Sequence, residues 1–181
     1  QCIEQTVSRF LPNAVTFQAL QALDIEDPKL EANLFEALTE GLRILEDGQN
    51  PDGGWGWFVG MESNPLVTAY AALGLIEARE AGFTVNQPML TRALDFVRGD
   101  FVRPGIDTPR WQLNRQAFYF YVLARDGKGS LRDYDDLIEH RLDMSYMGRA
   151  YLLMAYLKLD PDNPAVQDLT SDLTSAAILS A

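Results

Sequence analysis

Two side chains near the start of the sequence could react with each other. Cys2 carries the single thiol of the chain, and Gln5 carries a side-chain amide three residues later. On one turn of helix-like backbone these positions share a face, so the Cys2 sulfur can reach the side-chain carbonyl carbon of Gln5. Displacement of ammonia by the thiolate would leave an internal thioester. The plain alternative is a buried cysteine beside a solvated glutamine.

A thioester between these two side chains would make the protein an acylating reagent that is used once. An amine or hydroxyl group that attacks the acyl carbon keeps the acyl group, and the Cys2 thiol is released. Such a protein would not turn over as an enzyme does. It would couple covalently, through Gln5, to the molecule that carries the attacking group.

Composition and charge exclude several classes of function. The 26 acidic and 15 basic residues give a net charge of -11, which repels nucleic acid and anionic membrane surfaces. The longest nearly apolar stretch, residues 66–76, is too short to cross a bilayer core of about 30 Å as a helix. One cysteine and one histidine allow no internal disulfide and too few ligands for a Cys/His metal cluster. We therefore expect no nucleic-acid partner, no membrane insertion, no metal and no other cofactor.

Helical periodicity dominates the sequence and predicts an all-α fold of about eight helices. We expect these helices to begin near Gln5, Pro28, Asn64-Pro65, Pro88, Leu113, Ser130, Ser145 or Tyr146, and Asn163-Pro164. Leu23, Gly82 and Asp126-Gly127 mark expected ends. At the sixth helix, Ser130 and Asp133 resemble a capping box.

Apolar stripes on these helices predict the core. The expected inward residues include Leu30, Leu34, Leu38, Leu45, Leu66, Ala69, Tyr70, Leu73, Leu90, Leu94, Val97, Leu137 and Leu142. Three nearly apolar helices, marked by Ala69, Ala117 and Ala150, are each followed by a more polar one, as expected where helical hairpins stack. Periodicity leaves an open solenoid and a closed ring as alternatives. The glycine-rich, aromatic loop at residues 50–58 is expected to fold back onto the core.

Four segments resemble one known family. They are QCIEQTVSRFLP at residues 1–12, PDGGWGWF at 51–58, SNPLVTAY at 63–70 and YMGRA at 146–150. In this order they resemble the thioester domain of bacterial alpha-2-macroglobulin-like proteins, over essentially the whole chain. The resemblance implies an α/α toroid like that of terpenoid cyclases and complement thioester domains. It also implies that residues 1–181 are a single domain, a fragment of the toroid of a larger protein that supplies about four of about six hairpins.

The resemblance also implies a function and a site. In this family, cleavage of a bait region elsewhere in the protein exposes the thioester, which then couples to the attacking protease. The implied site consists of Cys2 as the thiol, Gln5 as the acyl donor, Ile3 and Glu4 as spacers, and Trp55 and Trp57 as aromatic packing near the pair. The expected partners are proteases, joined through lysine, and the other domains of the macroglobulin chain. An extracytoplasmic location, in the periplasm or at the cell surface, follows from the family.

Two features depart from the family pattern. Many members have glycine immediately before the cysteine, where this chain has Gln1. Members that prefer hydroxyl targets use a histidine in a later loop as a general base, and residues 101–111, where we expect that loop, contain none. His140 is expected to be a solvent-exposed surface residue distant from Cys2. These features predict uncatalysed coupling to amines, chiefly lysines.

Two other interpretations stay open. The Gln-x-x-x-Gly-x-Trp spacing from Gln49 to Trp55 and the Asp-x-Asp-Asp motif at residues 133–136 are similar to motifs of triterpene cyclases. A cyclase needs a protonated acid, so it predicts a closed apolar cavity around Asp135. A non-covalent helical-repeat scaffold predicts instead that Cys2 and Gln5 point apart.

Overall fold

The computed structural model describes residues 2–127 and 129–179, and this part of the chain is helical with no β-strand. Its eight α-helices are α1 (Ile3–Ala22), α2 (Pro28–Gly48), α3 (Pro65–Glu80), α4 (Gln87–Gly99), α5 (Arg110–Arg125), α6 (Leu131–Glu139), α7 (Tyr146–Leu159) and α8 (Pro164–Leu179). A short 3-10 helix, Arg141–Asp143, lies between α6 and α7. The predicted all-α fold is confirmed. The helices group into two compact units, Gln1–Asp100 and Phe101–Ala181.

Side-chain caps set the start of several helices. Asn64 Oδ1 accepts hydrogen bonds from the backbone amides of Leu66 (3.0 Å) and Val67 (3.2 Å) at the start of α3. Past the end of that helix, Gly82 adopts a φ of 90°, a left-handed conformation that favours glycine. Ser130 precedes α6 without a side-chain cap hydrogen bond, so the capping-box prediction is wrong on the Ser130 side. The side chain of Asp133 lies outside the described residues.

In the first unit, α1 packs against α2 and α3, and α3 packs against α4. The ring of Phe10 on α1 is buried between two glycines, Gly41 of α2 and Gly74 of α3. A Cβ atom at Gly74 would lie 3.0 Å from Phe10 Cδ1, and one at Gly41 would also overlap the ring. Because glycine has no side chain at these two positions, three helices can pack closely around one aromatic ring.

The second unit is built around α5, which packs against α6 and α7, while α7 packs against α8. From Gln116 onward α5 is buried on almost every side. The ring of Phe120 stacks on Tyr134 of α6 at a centroid distance of 4.3 Å and meets the edge of Tyr156 of α7 at 5.8 Å. Aromatic contacts thus join three helices of this unit.

Most predicted core residues are buried, and the exceptions have local causes. Ala69 and Ala117 are fully buried, whereas Ala150 is half-buried. Leu30 lies in a stretch, residues 21–30, that is exposed throughout, so the buried stripe of α2 begins one turn later. Tyr70 is exposed because it lines a groove beside α1. Leu142 is exposed because it lies in the 3-10 helix, where the α-helical period no longer applies.

We expect the contact between Gly41 and Phe10 to limit substitution at Gly41. Gly41→Ala should lower the free energy of unfolding by about 1–3 kcal/mol, because the added methyl group overlaps the Phe10 ring. Gly99→Ala is the matched control, since its Cβ would meet no atom within 4 Å, and it should change stability by no more than about 1 kcal/mol. Urea denaturation followed by circular dichroism measures both. Equal midpoints for the two variants would show that the ring moves aside freely.

Candidate functional site

Cys2 and Gln5 occupy the first turn of α1. Cys2 is the N-cap residue, with extended backbone angles, and Gln5 follows within the helix. The backbone carbonyl of Cys2 accepts hydrogen bonds from the amide (3.1 Å) and the hydroxyl (3.0 Å) of Thr6. The turn that connects the thiol to the amide is therefore held at its Cys2 end by two bonds to one oxygen.

One groove between α1 and α2 is lined by both members of the pair. It has a volume of about 340 Å³. Its polar lining consists of Cys2, Gln5, Thr6, Arg9 and Asn13 from α1 and Glu40 from α2. The Cys2 residue is half-buried and Gln5 is exposed, so both are open to a molecule that enters the groove. Because both residues line one groove, they lie on the same side of the first turn of α1.

A loop from the end of α2 fixes the backbone at the start of α1. The Ile3 amide donates to the Trp57 carbonyl at 2.9 Å, and Cys2 forms an isolated antiparallel bridge with Phe58. Trp55 is fully buried, and its indole N–H donates to the Leu45 carbonyl at 2.8 Å. The prediction that this loop folds back onto the core is confirmed.

Gln49 and the glycines give the loop its compact form. The side-chain amide of Gln49 donates to the carbonyls of Gly53 (2.8 Å) and Met89 (2.9 Å), which joins the loop to α4. Gly53 has a φ of 92°, and a Cβ at Gly54 would lie 2.6 Å from Ser63 Cβ. The Gln-x-x-x-Gly-x-Trp spacing thus serves packing in this chain.

The two tryptophans of this loop have different surroundings. Trp55 is part of the core, whereas Trp57 is 45% exposed and lines an apolar groove of about 400 Å³ together with Glu4 and Tyr70. Neither Cys2 nor Gln5 lines that second groove. Of the two spacers, Ile3 is fully buried, while the exposed Glu4 accepts a hydrogen bond from Ser8 Oγ at 2.8 Å.

The acidic motif of the second unit lies at the surface. Asp135 is exposed, and Asp136 forms an ion pair with Arg103 at 3.5 Å. A closed apolar cavity around Asp135, which a cyclase acid requires, is therefore not what surrounds this residue. Its electrostatic effect falls instead on the buried Tyr156, where burial and the nearby Asp135 raise the phenol pKa to about 12.

His140 is less accessible than the sequence suggested. Its side chain is only 20% exposed, and Nδ1 lies 3.7 Å from the Asp143 carboxylate. The expectation of a solvent-exposed histidine is wrong, because the 3-10 helix turns the chain at His140 and brings Asp143 beside it. His140 belongs to the second unit and Cys2 to the first.

The described residues contain no cluster of three or more His, Cys, Asp or Glu side chains that could hold a metal ion. No helix within residues 2–127 and 129–179 is long and apolar enough to cross a membrane.

The geometry agrees with a comparison against protein families. The model of the A-macroglobulin TED domain matches residues 1–159, a range that includes the Cys2–Gln5 turn, its loop and seven of the eight helices. The chain belongs to the A-macroglobulin TED domain family. Among curated relatives, the alpha-2-macroglobulin of Thermotoga maritima is 38% identical over 97 residues, which are 54% of this chain and 6% of that protein.

Solved structures agree with the TED fold. Salmonella alpha-2-macroglobulin reacted with methylamine matches with a TM-score of 0.75 and 25% identity, over 95% of this chain and 12% of that one. Trypsin-activated alpha-2-macroglobulin from Escherichia coli matches with a TM-score of 0.75 and 25% identity, over 96% of this chain and 12% of that one. The all-helical fold is thus that of the TED α/α toroid. This TED chain spans only a small part of each of these relatives.

A terpenoid-type relative also matches this TED chain. Drimenyl diphosphate synthase of Streptantibioticus cattleyicolor is 36% identical over 97 residues, which are 51% of this chain and 17% of the synthase. The chain is therefore similar in sequence to this synthase over about half of its length. In this chain, however, Gln49 and Trp55 hold a loop together and Asp135 is exposed.

Burial of Tyr156 predicts a stability loss in alkali. Its pKa of about 12 in the folded protein lies above the ordinary value of 10.0, so the unfolded chain releases the proton first. This contribution is fully present below pH 10 and disappears as the pH rises towards 12. Between pH 10 and 12 the free energy of unfolding of the wild type should fall by about 2 kcal/mol more than that of Tyr156→Phe, as measured by denaturation at several pH values. If the free energy of unfolding falls equally with pH in both proteins, the raised pKa of Tyr156 is contradicted.

Proposed function

We propose that Cys2 and Gln5 form an internal thioester through which a larger macroglobulin traps proteases covalently. The observation that carries this proposal is the position of both side chains on one groove, in a chain of the TED family. The i, i+3 spacing at the first turn of α1 is compatible with a bond between Sγ and the Gln5 acyl carbon.

The thioester forms with loss of ammonia and is later cleaved with loss of the Cys2 thiolate. The thiolate of Cys2 attacks the side-chain carbonyl carbon of Gln5, the carbon–sulfur bond forms, and ammonia leaves with the proton from the thiol. A lysine amine of the protease later attacks the same carbon, the new amide bond forms, and sulfur leaves as the thiolate. The amine proton passes to solvent. Each molecule acts once, so the protein is an inhibitor and not an enzyme.

The proposed partners are proteases and the other domains of the macroglobulin chain. The support comes from relatives that were studied after methylamine reaction and after trypsin activation. Methylamine is a small primary amine, as is the end of a lysine side chain, and trypsin is a protease. Trapping also needs a bait region, which we place elsewhere in the protein because the chain spans only 12% of each of these structures.

We further propose that residues 1–181 belong to one thioester domain of an extracytoplasmic protein. The family match runs from the first unit into the second, up to residue 159, which supports one domain. The bacterial relatives support a location where foreign proteases are met, in the periplasm or at the cell surface. Terpenoid cyclisation is not proposed, because exposure of Asp135 leaves its carboxyl group without the apolar surroundings that keep an acid protonated.

The thioester predicts a mass defect in the full-length protein. Native protein should weigh one ammonia less than its sequence requires, and its Cys2 thiol should not react with a thiol reagent. Methylamine should release the thiol and convert the Gln5 side chain to an N-methylamide. Intact mass spectrometry and peptide mapping, before and after methylamine, measure these changes.

Two glutamine variants on α1 provide the control. Gln5→Glu removes the amide that is displaced, so this protein should carry a free Cys2 thiol from the start. Gln21→Glu makes the same change in another turn of the helix, outside the groove, and should keep the mass defect. The proposal fails if native full-length protein shows a freely titrating Cys2, or if Cys2→Ala still couples covalently to a protease.

A further inference from the structure

The groove between α1 and α2 carries one positive and one negative side chain beside the proposed reactive pair. These are Arg9 and Glu40, the two charged residues among the described lining of the groove. We infer that Arg9 and Glu40 select amines as the attacking group, by stabilising the opposite charges that form when an amine adds to the thioester. This inference rests on the proposed function and adds the residues that determine its specificity.

Both side chains are positioned by regular structure. Arg9 follows Gln5 by four residues on α1, so the two share a helix face. On α2, Arg43 holds the Glu40 carboxylate with hydrogen bonds of 2.9 and 2.7 Å. The same hydrogen bonds lower the pKa of Glu40, which favours the anionic form of its side chain. Its effect in the groove is therefore electrostatic.

The addition of an amine creates two charges at once. The nitrogen of a neutral amine attacks the Gln5 acyl carbon, and the carbonyl electron pair moves to oxygen. Before any proton is lost, this adduct has a positive nitrogen and a negative oxygen. The carbonyl then re-forms, the carbon–sulfur bond breaks with its electron pair on sulfur, and the nitrogen gives its proton to solvent. Fixed charges of opposite sign stabilise such an adduct more than they stabilise the neutral amine.

Attack by hydroxide distinguishes the two side chains. Hydroxide brings its own negative charge and places no positive charge on the attacking atom. A negative Glu40 therefore assists aminolysis but not alkaline hydrolysis, whereas a positive Arg9 assists both reactions through the oxygen or the departing sulfur. The ratio of the two rates reports on Glu40 in a way that a general loss of stability would not.

The test uses full-length protein with an intact thioester and follows thiol release by methylamine and by hydroxide alone. Glu40→Gln should slow aminolysis roughly two- to fivefold, the effect of a partly exposed charge, without slowing hydrolysis. Glu36→Gln is the matched control, since it removes the same charge one turn earlier on α2 and does not line the groove. Added salt should reduce the difference between Glu40→Gln and wild type.

Arg9 has its own expected signature. Arg9→Gln should slow aminolysis and hydrolysis by a similar factor, while Lys29→Gln, an exposed cation outside the groove, should change neither rate. The inference is overturned if Glu40→Gln and Glu36→Gln react with methylamine at the same rate, or if Glu40→Gln slows both reactions equally. Absence of the mass defect in the native protein would instead contradict the proposed thioester. Failure of the proposed function and failure of this inference are therefore distinguishable.

Discussion

The hydrogen bond from the Ile3 amide to the Trp57 carbonyl holds the start of α1 against the loop that follows α2. Cys2 precedes the helix, and its backbone is also defined by the hydrogen bonds from Thr6 and by the antiparallel bridge with Phe58 of the same loop. The loop can serve as an anchor since Trp55 is fully buried and bonded to the Leu45 carbonyl. The position of the thiol thus depends on an interaction more than 50 residues away in the sequence.

Packing of Phe10 sets the rotation of α1 about its axis. The ring fits between Gly41 and Gly74, which turns that face of the helix towards α2 and α3. Gln5 and Arg9 lie on a neighbouring strip of the helix surface and consequently line the groove with α2. A well-packed core contact and an exposed face that lines the groove are therefore two consequences of one helix orientation.

Two motifs of this chain that are similar to terpenoid cyclase motifs have roles that depend on their surroundings. In this chain the glutamine and tryptophan of the Gln-x-x-x-Gly-x-Trp spacing make hydrogen bonds within the protein. The central acid of the Asp-x-Asp-Asp motif, Asp135, is exposed, and it adds to the effect of burial that raises the pKa of Tyr156. Acid chemistry needs the reverse arrangement, a buried carboxyl group beside an apolar cavity. Motif similarity thus indicates common architecture, and burial decides the chemistry.

Local sequence signals predicted the helices and suggested Cys2 and Gln5 as the proposed reactive pair. Asn64-Pro65 and Gly82 bound α3 because capping and left-handed turns depend on a few adjacent residues. The i, i+3 relation of Cys2 and Gln5 is equally local. The i, i+4 spacing of Gln5 and Arg9 likewise indicates that these two residues share a face of α1.

Tertiary structure decided the remaining features. Glu40 joins the groove only because α2 packs beside α1, and no spacing along the sequence indicates that pairing. The exposure of Tyr70 and the partial burial of His140 likewise depend on which element lies next to each residue. Caps and periodicity act within a few residues, whereas burial and charge at a site are sums over neighbours that are distant in the chain. The sequence by itself determined the helices and the i, i+3 spacing of Cys2 and Gln5, and only helix packing decided which side chains surround these two residues in their groove.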